Sequence, residues 1–527
     1  MEHKKRVIFL KIAAVLVILA AAAAAVGADS VRRTQIVAGV PCIEQDEWQA
    51  LTGGEQIPFD PDALTWQGQR PAYESETNTL YLSQSTDAAD YTGTLAARGE
   101  EVELRFLKDA RMRSKKTAIA QGTAFSLLVI TPAGWQTAQV VFTGLPTLSI
   151  RGGEEEYAEL VLTDPENRDG AGGVTAAGCR YHVRGATSVA FPKKSYKVSL
   201  CTPDGEKVKE NLLGLRKDDD WILNAMYTDS SYLREKTAYS LWSDLTAGEE
   251  AAPKSAQLEY VELFINDSLR GLYALEVPVD AKQVKAEEGD VLYKIGDHVI
   301  PEDADFKANT TGEVLTTREG RTPMEIRWPK SPAPADWDPM RQYRSLLYGG
   351  QSEAPVTVRM DRRNAVDYYL FCQFTFTMDN EWKNCYVLAD LQKDGSFVMR
   401  RIPWDLDFTF GNHWDDDDRR HITFDPMSTA QLLSWQSSDY AVLSGSDPDG
   451  MEALLCQTWQ DWRKRGLSAR TLCAQVLSER QRLEDSGALA REYAHWPECA
   501  DPDAMTHLTD WITARFETMD RLYGAAG

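Results

Sequence analysis

The chain has no block rich in lysine or arginine, and its net charge is −23 at pH 7. A field of that sign repels a phosphate backbone, which excludes nucleic acid as a partner and favours basic ones. The eight cysteines form no C-x-x-C pair and have no histidines at zinc-site spacing, so a structural zinc is excluded and no disulfides are assigned. Internal repeats are missing, and so are low-complexity tracts apart from one alanine-rich run. With 43% hydrophobic and 26% charged residues, the composition is that of a folded protein, neither disordered nor fibrous.

The alanine-rich run covers residues 12–28 and follows Lys4, Lys5, Arg6 and Lys11. It reads as an export signal. Val26, Gly27 and Ala28 before Asp29 suit cleavage, while the length also suffices for a short membrane anchor. In either case the positive flank stays inside and the remainder is extracytoplasmic, touching the membrane only through that segment.

A length of 527 residues gives a prior of about three domains. Residues 34–145 carry short β-type runs at 79–82, 102–106 and 125–130, and predict a β-rich accessory domain without a catalytic constellation. Residues 146–300 alternate strands with one helix. The run at 191–200 has period two, placing Lys194 with Tyr196, Val198 and Leu200, and Lys193 with Ser195, Lys197 and Ser199. Residues 229–242 predict a helix with Tyr232, Glu235, Tyr239 and Trp242 on one side. Runs at 258–265 and 272–277 flank a turn at 266–271, a hairpin signal. From 301 onward the pattern predicts a helix at 362–377, strands at 385–389 and 397–402, and a helical subdomain from about 425 to the end.

Phosphoryl transfer needs carboxylate and amide oxygens for magnesium, a lysine on the phosphates and an acid near the acceptor hydroxyl. Kinases supply these in a set order ending in D-x-x-x-x-N, a short hairpin and D-F-G. Here Asp379 and Asn384 have the first spacing, and the hairpin after them delivers Asp405 and Asp407 in W-D-L-D-F. Two acids among Trp404, Leu406, Phe408 and Phe410 are costly unless a cation joins them. Salt bridges to Arg400 or Arg401 are the structural alternative.

Together Y-H-V-R-G-A-T-S, F-P-K-K-S-Y-K-V, D-S-S-Y-L-R, Y-V-E-L-F-I-N with G-L-Y-A-L-E, and I-P-W-D-L-D-F-T-F-G resemble the CotH kinase family over residues 146–527. The resemblance implies an α+β, diverged protein-kinase-like bilobal fold, with the N-lobe in 146–300 and the C-lobe in 301–527. It implies ATP or a related nucleotide with Mg²⁺ or Mn²⁺, and phosphorylation of Ser/Thr in secreted or spore-coat proteins. By that similarity Lys194 contacts the phosphates, Glu276 lies at the hinge near the adenine, and Asp407 is the principal metal ligand beside Asp405. Asn384 holds the second metal position, and Arg184 and Ser188 belong to the nucleotide-binding loop. Asp379 is the acceptor base or a metal or positioning residue, and Glu235 is the lysine's ion-pair partner.

Departures leave alternatives open. The loop Arg184-Gly185-Ala186-Thr187-Ser188 stands where the family commonly has R-G-N-S, no G-x-G-x-x-G is present, and Thr377-Met378 replaces His-Arg before Asp379. A catalytically weakened coat, surface or adhesion binding protein is the alternative function. A metal-dependent or two-carboxylate hydrolase using Asp405 and Asp407 is disfavoured, because acids two apart on a strand share a face too closely for a glycosidase pair. The acids Asp415, Asp416, Asp417 and Asp418 are either a solvated loop or an attractor for basic Ser/Thr-containing protein substrates.

Overall fold

The computed structural model describes residues 35–170, 172–248, 252–297, 310–311, 314–315, 322–349, 357–381, 383–414, 422–434 and 438–524. The segment at 1–28, read above as an expected export signal, and the acid run at 415–418 lie outside the described residues. The chain divides into two compact units, residues 1–144 and 145–527.

In the first unit a mixed seven-stranded sheet includes Thr79–Ser83, Glu103–Leu107 and Ala124–Thr131, the three runs that alternate most clearly in the sequence. Leu80, Leu82, Phe106, Leu127, Val129, Val140 and Phe142 form its core, at the alternate positions that a period of two dictates.

The second unit begins with a closed seven-stranded barrel in the order Thr147–Arg151, Ala158–Thr163, Val174–Arg184, Ser195–Leu200, Asp220–Asn224, Ser268–Val277 and Gln257–Ile265. A parallel pairing of Thr147–Arg151 with Gln257–Ile265 completes it and removes the free edge. Leu148, Leu160, Tyr181, Val198, Trp221, Leu263 and Leu275 are part of its core. The hairpin turn is shorter than the sequence suggests. Asn266 and Asp267 both have positive φ, which matches the right-handed strand twist, so the ladder resumes at Ser268. The slack is taken up by a bulge before Gly271, which pairs with Leu263.

The Arg234–Leu245 helix buries Tyr239 and Trp242 in the same core as Leu258, Tyr260 and Leu272 of the hairpin. It starts later than its sequence signal. The Asp229 carboxylate accepts hydrogen bonds from the Ser231 and Arg234 N–H groups at 2.9 and 2.8 Å, closing a turn before the first helical residue. Tyr232 lies in that turn with φ +61°.

A second sheet runs in the order Thr310–Thr311, Val314–Leu315, Met324–Trp328, Val291–Ile295, Cys385–Leu391, Phe397–Pro403 and Val358–Met360. The Arg362–Thr375 helix, capped by Asp361, buries residues on nearly every side and ends at Phe376 in left-handed conformation. Helices Asp439–Ser446, Pro448–Lys464, Ala469–Asp485, Ala488–His495 and Ala504–Tyr523 complete the unit. The architecture is mixed α+β with a helical C-terminal region. Among the described residues no helix is long and apolar enough to cross a membrane.

Candidate active site

Two residues with left-handed backbone mark the site: Asn384 at φ +53° and Asp405 at φ +61°. Asn and Asp tolerate this region better than other side chains, and its use at two chemistry-bearing positions indicates a backbone held by its surroundings. Asn380 is the clamp. Its amide donates to the carbonyls of Asn384 and Trp404 at 2.6 and 3.0 Å, and its own carbonyl accepts from the Tyr368 hydroxyl at 2.7 Å. The Trp404 N–H donates to the Asn384 carbonyl at 3.1 Å. The two ends of the hairpin are thereby one rigid piece. The D-x-x-x-x-N pattern contains Asn380 but leaves its position unspecified, so the pattern does not single it out.

Asp379 lies half-buried at the start of this piece, with its carboxylate 2.8 Å from the Lys383 ammonium. The Asp407 carboxylate accepts from the Thr228 hydroxyl at 2.7 Å and from the Phe408 N–H at 3.0 Å. Asn412 fixes the neighbouring backbone by donating to the carbonyls of Thr228 and Asp407, both at 3.0 Å.

A second network arrives from the barrel and its helix. The Asn224 amide donates to both Glu235 and Glu276, at 2.7 and 2.8 Å. The Tyr239 hydroxyl donates to Glu235 at 3.0 Å and accepts from the Asp405 N–H at 3.1 Å. Four carboxyls therefore share one field. Burial raises Glu235 well above the carboxylate range, helped by the charges of Glu276, Asp405 and Asp407. Burial raises Glu276 to about 7 against the Asn224 hydrogen bond and Arg184. Burial and then the Asp405 charge raise Asp407 to about 8, against the Thr228 hydrogen bond. Asp405 is reached by solvent yet crowded by protein atoms. That crowding raises its pKa, with Arg184 and then Lys294 opposing.

The structure corrects several expectations. Lys194 precedes the strand, which starts at Ser195, and does not join the apolar face of Tyr196, Val198 and Leu200. Its ammonium donates to the carbonyls of Val189 and Phe191 at 2.7 and 2.5 Å, stapling the loop. Lys193 is the enclosed lysine, 2.5 Å from Glu492 and 2.5 Å from the Leu272 carbonyl. Glu235 pairs with Asn224 and Tyr239 and not with Lys194. Glu276 is 1% exposed and hydrogen-bonded into the same acid network through Asn224. Arg400 pairs with Asp361 and Asp390, and Arg401 with Asp439, so neither arginine neutralises Asp405 or Asp407. Arg184 ends its strand half-buried, close enough to Asp405 and Glu276 to lower both. Ser188 lies in the following turn, its hydroxyl against the α-carbon of Gly185, where φ is +122° and a side chain would collide.

The donors available to a metal are hard oxygens. Asp405 and Asn384 have side chains without a hydrogen-bond partner among the described residues, and Asp407 stands beside them short of a cation. Among the described residues no three His, Cys, Asp or Glu side chains converge as an all-protein cage. Magnesium carried by a nucleotide asks for less, one or two carboxylates with phosphate oxygens supplying other positions, and this donor set fits that demand.

No curated protein matches the chain. A family model described as CotH kinase protein matches residues 181–519, a span that begins in the third barrel strand and takes in Arg184, Glu235, Glu276, Asp379, Asn384, Asp405 and Asp407. That match covers more than half of the sequence, and the chain belongs to the CotH kinase family.

Proposed function

We propose that the chain is an extracytoplasmic atypical protein kinase that transfers the terminal phosphate of a magnesium nucleotide to a Ser/Thr hydroxyl of a basic protein. The observation that carries this reading is the clamped pair of loops that presents the open Asp405 carboxylate beside Asp407 and Asn384 within a set of four carboxyls short of cations. Family membership supports a bilobal kinase-like arrangement, in which the barrel with its helix is the first lobe and the second sheet with the helices is the second.

Magnesium would neutralise charge on the phosphates and is suited to Asp405, Asp407 and Asn384. Arg184 and the Gly185–Ser188 turn would cradle the phosphate chain. Asp379, paired with Lys383, would be the acceptor for the hydroxyl proton. In the transfer, the acceptor oxygen bonds to the terminal phosphorus, the bond to the bridging oxygen breaks, and the nucleoside diphosphate leaves with that electron pair. The network from Glu276 through Asn224, Glu235 and Tyr239 positions the Asp405 backbone from behind.

The net charge of −23 supports a basic acceptor, and the charged start followed by an apolar run supports export. Radiolabel transfer from the terminal phosphate of ATP with magnesium tests the proposal, using a basic serine peptide, a neutral one, and the Asp405→Asn variant. Label on the basic peptide, lost in the variant, is expected. No transfer by the wild-type protein to itself or to either peptide would overturn it.

A further inference from the structure

We infer that Lys294 is the lysine that contacts the phosphates of the nucleotide, in the place that sequence similarity gave to Lys194. This rests on the kinase reading above and names a binding residue within it. The other lysines near the site are engaged. Lys194 is tied to two loop carbonyls, Lys193 is enclosed against Glu492, and Lys383 holds Asp379 at 2.8 Å.

Lys294 sits on the central Val291–Ile295 strand, flanked by Met324–Trp328 and Cys385–Leu391. Register places Glu325, Lys294 and Tyr386 in one row across these antiparallel strands, and residues directly opposite each other project from the same face. Two residues before Tyr386 is Asn384, where the hairpin that delivers Asp405 begins. Lys294 therefore looks along the sheet face toward the metal-binding end of that hairpin. A bulge in Met324–Trp328 adds a second cation. Ile326 pairs with Tyr293 and Trp328 with Leu292, so Arg327 is the extra residue, and its guanidinium reaches the same Glu325 oxygen.

The result is an excess of positive charge. Lys294 and Arg327 stand 3.4 and 3.5 Å from one Glu325 oxygen, both looser than a close ion pair, and Arg184 approaches from the barrel. Burial lowers the Lys294 pKa, Glu325 raises it, and Arg184 and Arg327 lower it again, as expected for cations crowded around a single anion. Opposite them stands the Asp405 carboxylate, close enough to feel the charges of Arg184 and Lys294. A cationic wall facing an acidic floor suits a polyphosphate whose oxygens meet ammonium and guanidinium on one side and a carboxylate-bound cation on the other.

Binding of ATP, ADP and adenosine, each with excess EDTA and with magnesium, tests the assignment on wild type, Lys294→Met, Lys294→Arg and Lys194→Met. Expected is a loss of about ten- to a hundredfold in ATP affinity for Lys294→Met without change for adenosine, partial recovery in Lys294→Arg, and a smaller loss in Lys194→Met. Wild-type ATP affinity in Lys294→Met, or an equal loss for ATP and adenosine, overturns the assignment while leaving the kinase reading in place. A wild-type protein that binds none of the three ligands overturns both.

Discussion

The hydroxyl of Tyr239 accepts a hydrogen bond from the Asp405 N–H at 3.1 Å while donating one to Glu235 at 3.0 Å. One phenol thus joins a helix carboxyl to the backbone of the residue at the centre of the acid cluster. Tyr239→Phe leaves an N–H and a carboxyl oxygen without this partner, a cost of about 1–3 kcal/mol for each buried group. Steady-state kinetics on the variant should give a kcat reduced about ten- to a hundredfold with KM for nucleotide little changed. Wild-type kcat would show that the Asp405 backbone needs no such support.

Stability of the metal-free protein should fall as pH rises from about 5 to 8. Glu276 is raised to about 7 in the folded state, so between the ordinary carboxylate range and that value the folded protein holds a proton that the unfolded chain has lost. The unfolded state then binds fewer protons, the slope of unfolding free energy with pH is negative, and the Tm declines across this window. Thermal scans of wild type and Glu276→Gln at several pH values check it. The substitution should flatten the decline, and a wild-type Tm that rises through the window contradicts the assignment.

Lys193→Met should destabilise far more than Lys194→Ala. Lys193 is fully enclosed with Glu492, which also accepts from the Tyr232 hydroxyl at 2.7 Å and the Leu272 N–H at 2.6 Å. Removing one partner of a buried pair costs about 3–5 kcal/mol. Lys194 holds loop carbonyls near the surface, and its loss should cost about 1 kcal/mol or less. Chemical denaturation of both variants gives the order directly, and the reverse order would mean that the strand register begins earlier than Ser195.

The chemistry-bearing spacing was legible in the sequence, and the long-range anchoring was not. Strand and helix periods locate the Arg362–Thr375 helix, the Cys385–Leu391 and Phe397–Pro403 hairpin and the acids after it, because each is set by local alternation or by a cap such as Asp361. A period of two extended back past the start of the ladder at Ser195 misplaces Lys194, although Pro192 signals a turn there. The partners of Glu235 are not legible, because a helix face reveals which residues point inward and not what meets them. Its partners, Asn224 and Tyr239, lie on the adjoining strand and one helical turn along. Lys193 and Glu492 are 299 residues apart, and Gly271 is required beside Glu492 because a side chain there would collide with its carboxylate. No local pattern encodes such a contact.

The central claim is that Asp405 holds the cation accompanying the nucleotide, and calorimetric titration of ATP with and without magnesium into wild type and Asp405→Ala tests it most directly. Wild type should bind more tightly with magnesium. The variant, folded by its unchanged thermal transition or a more stable one, should bind ATP with the same affinity in either condition. A folded Asp405→Ala protein that keeps the full magnesium-dependent gain would contradict the account.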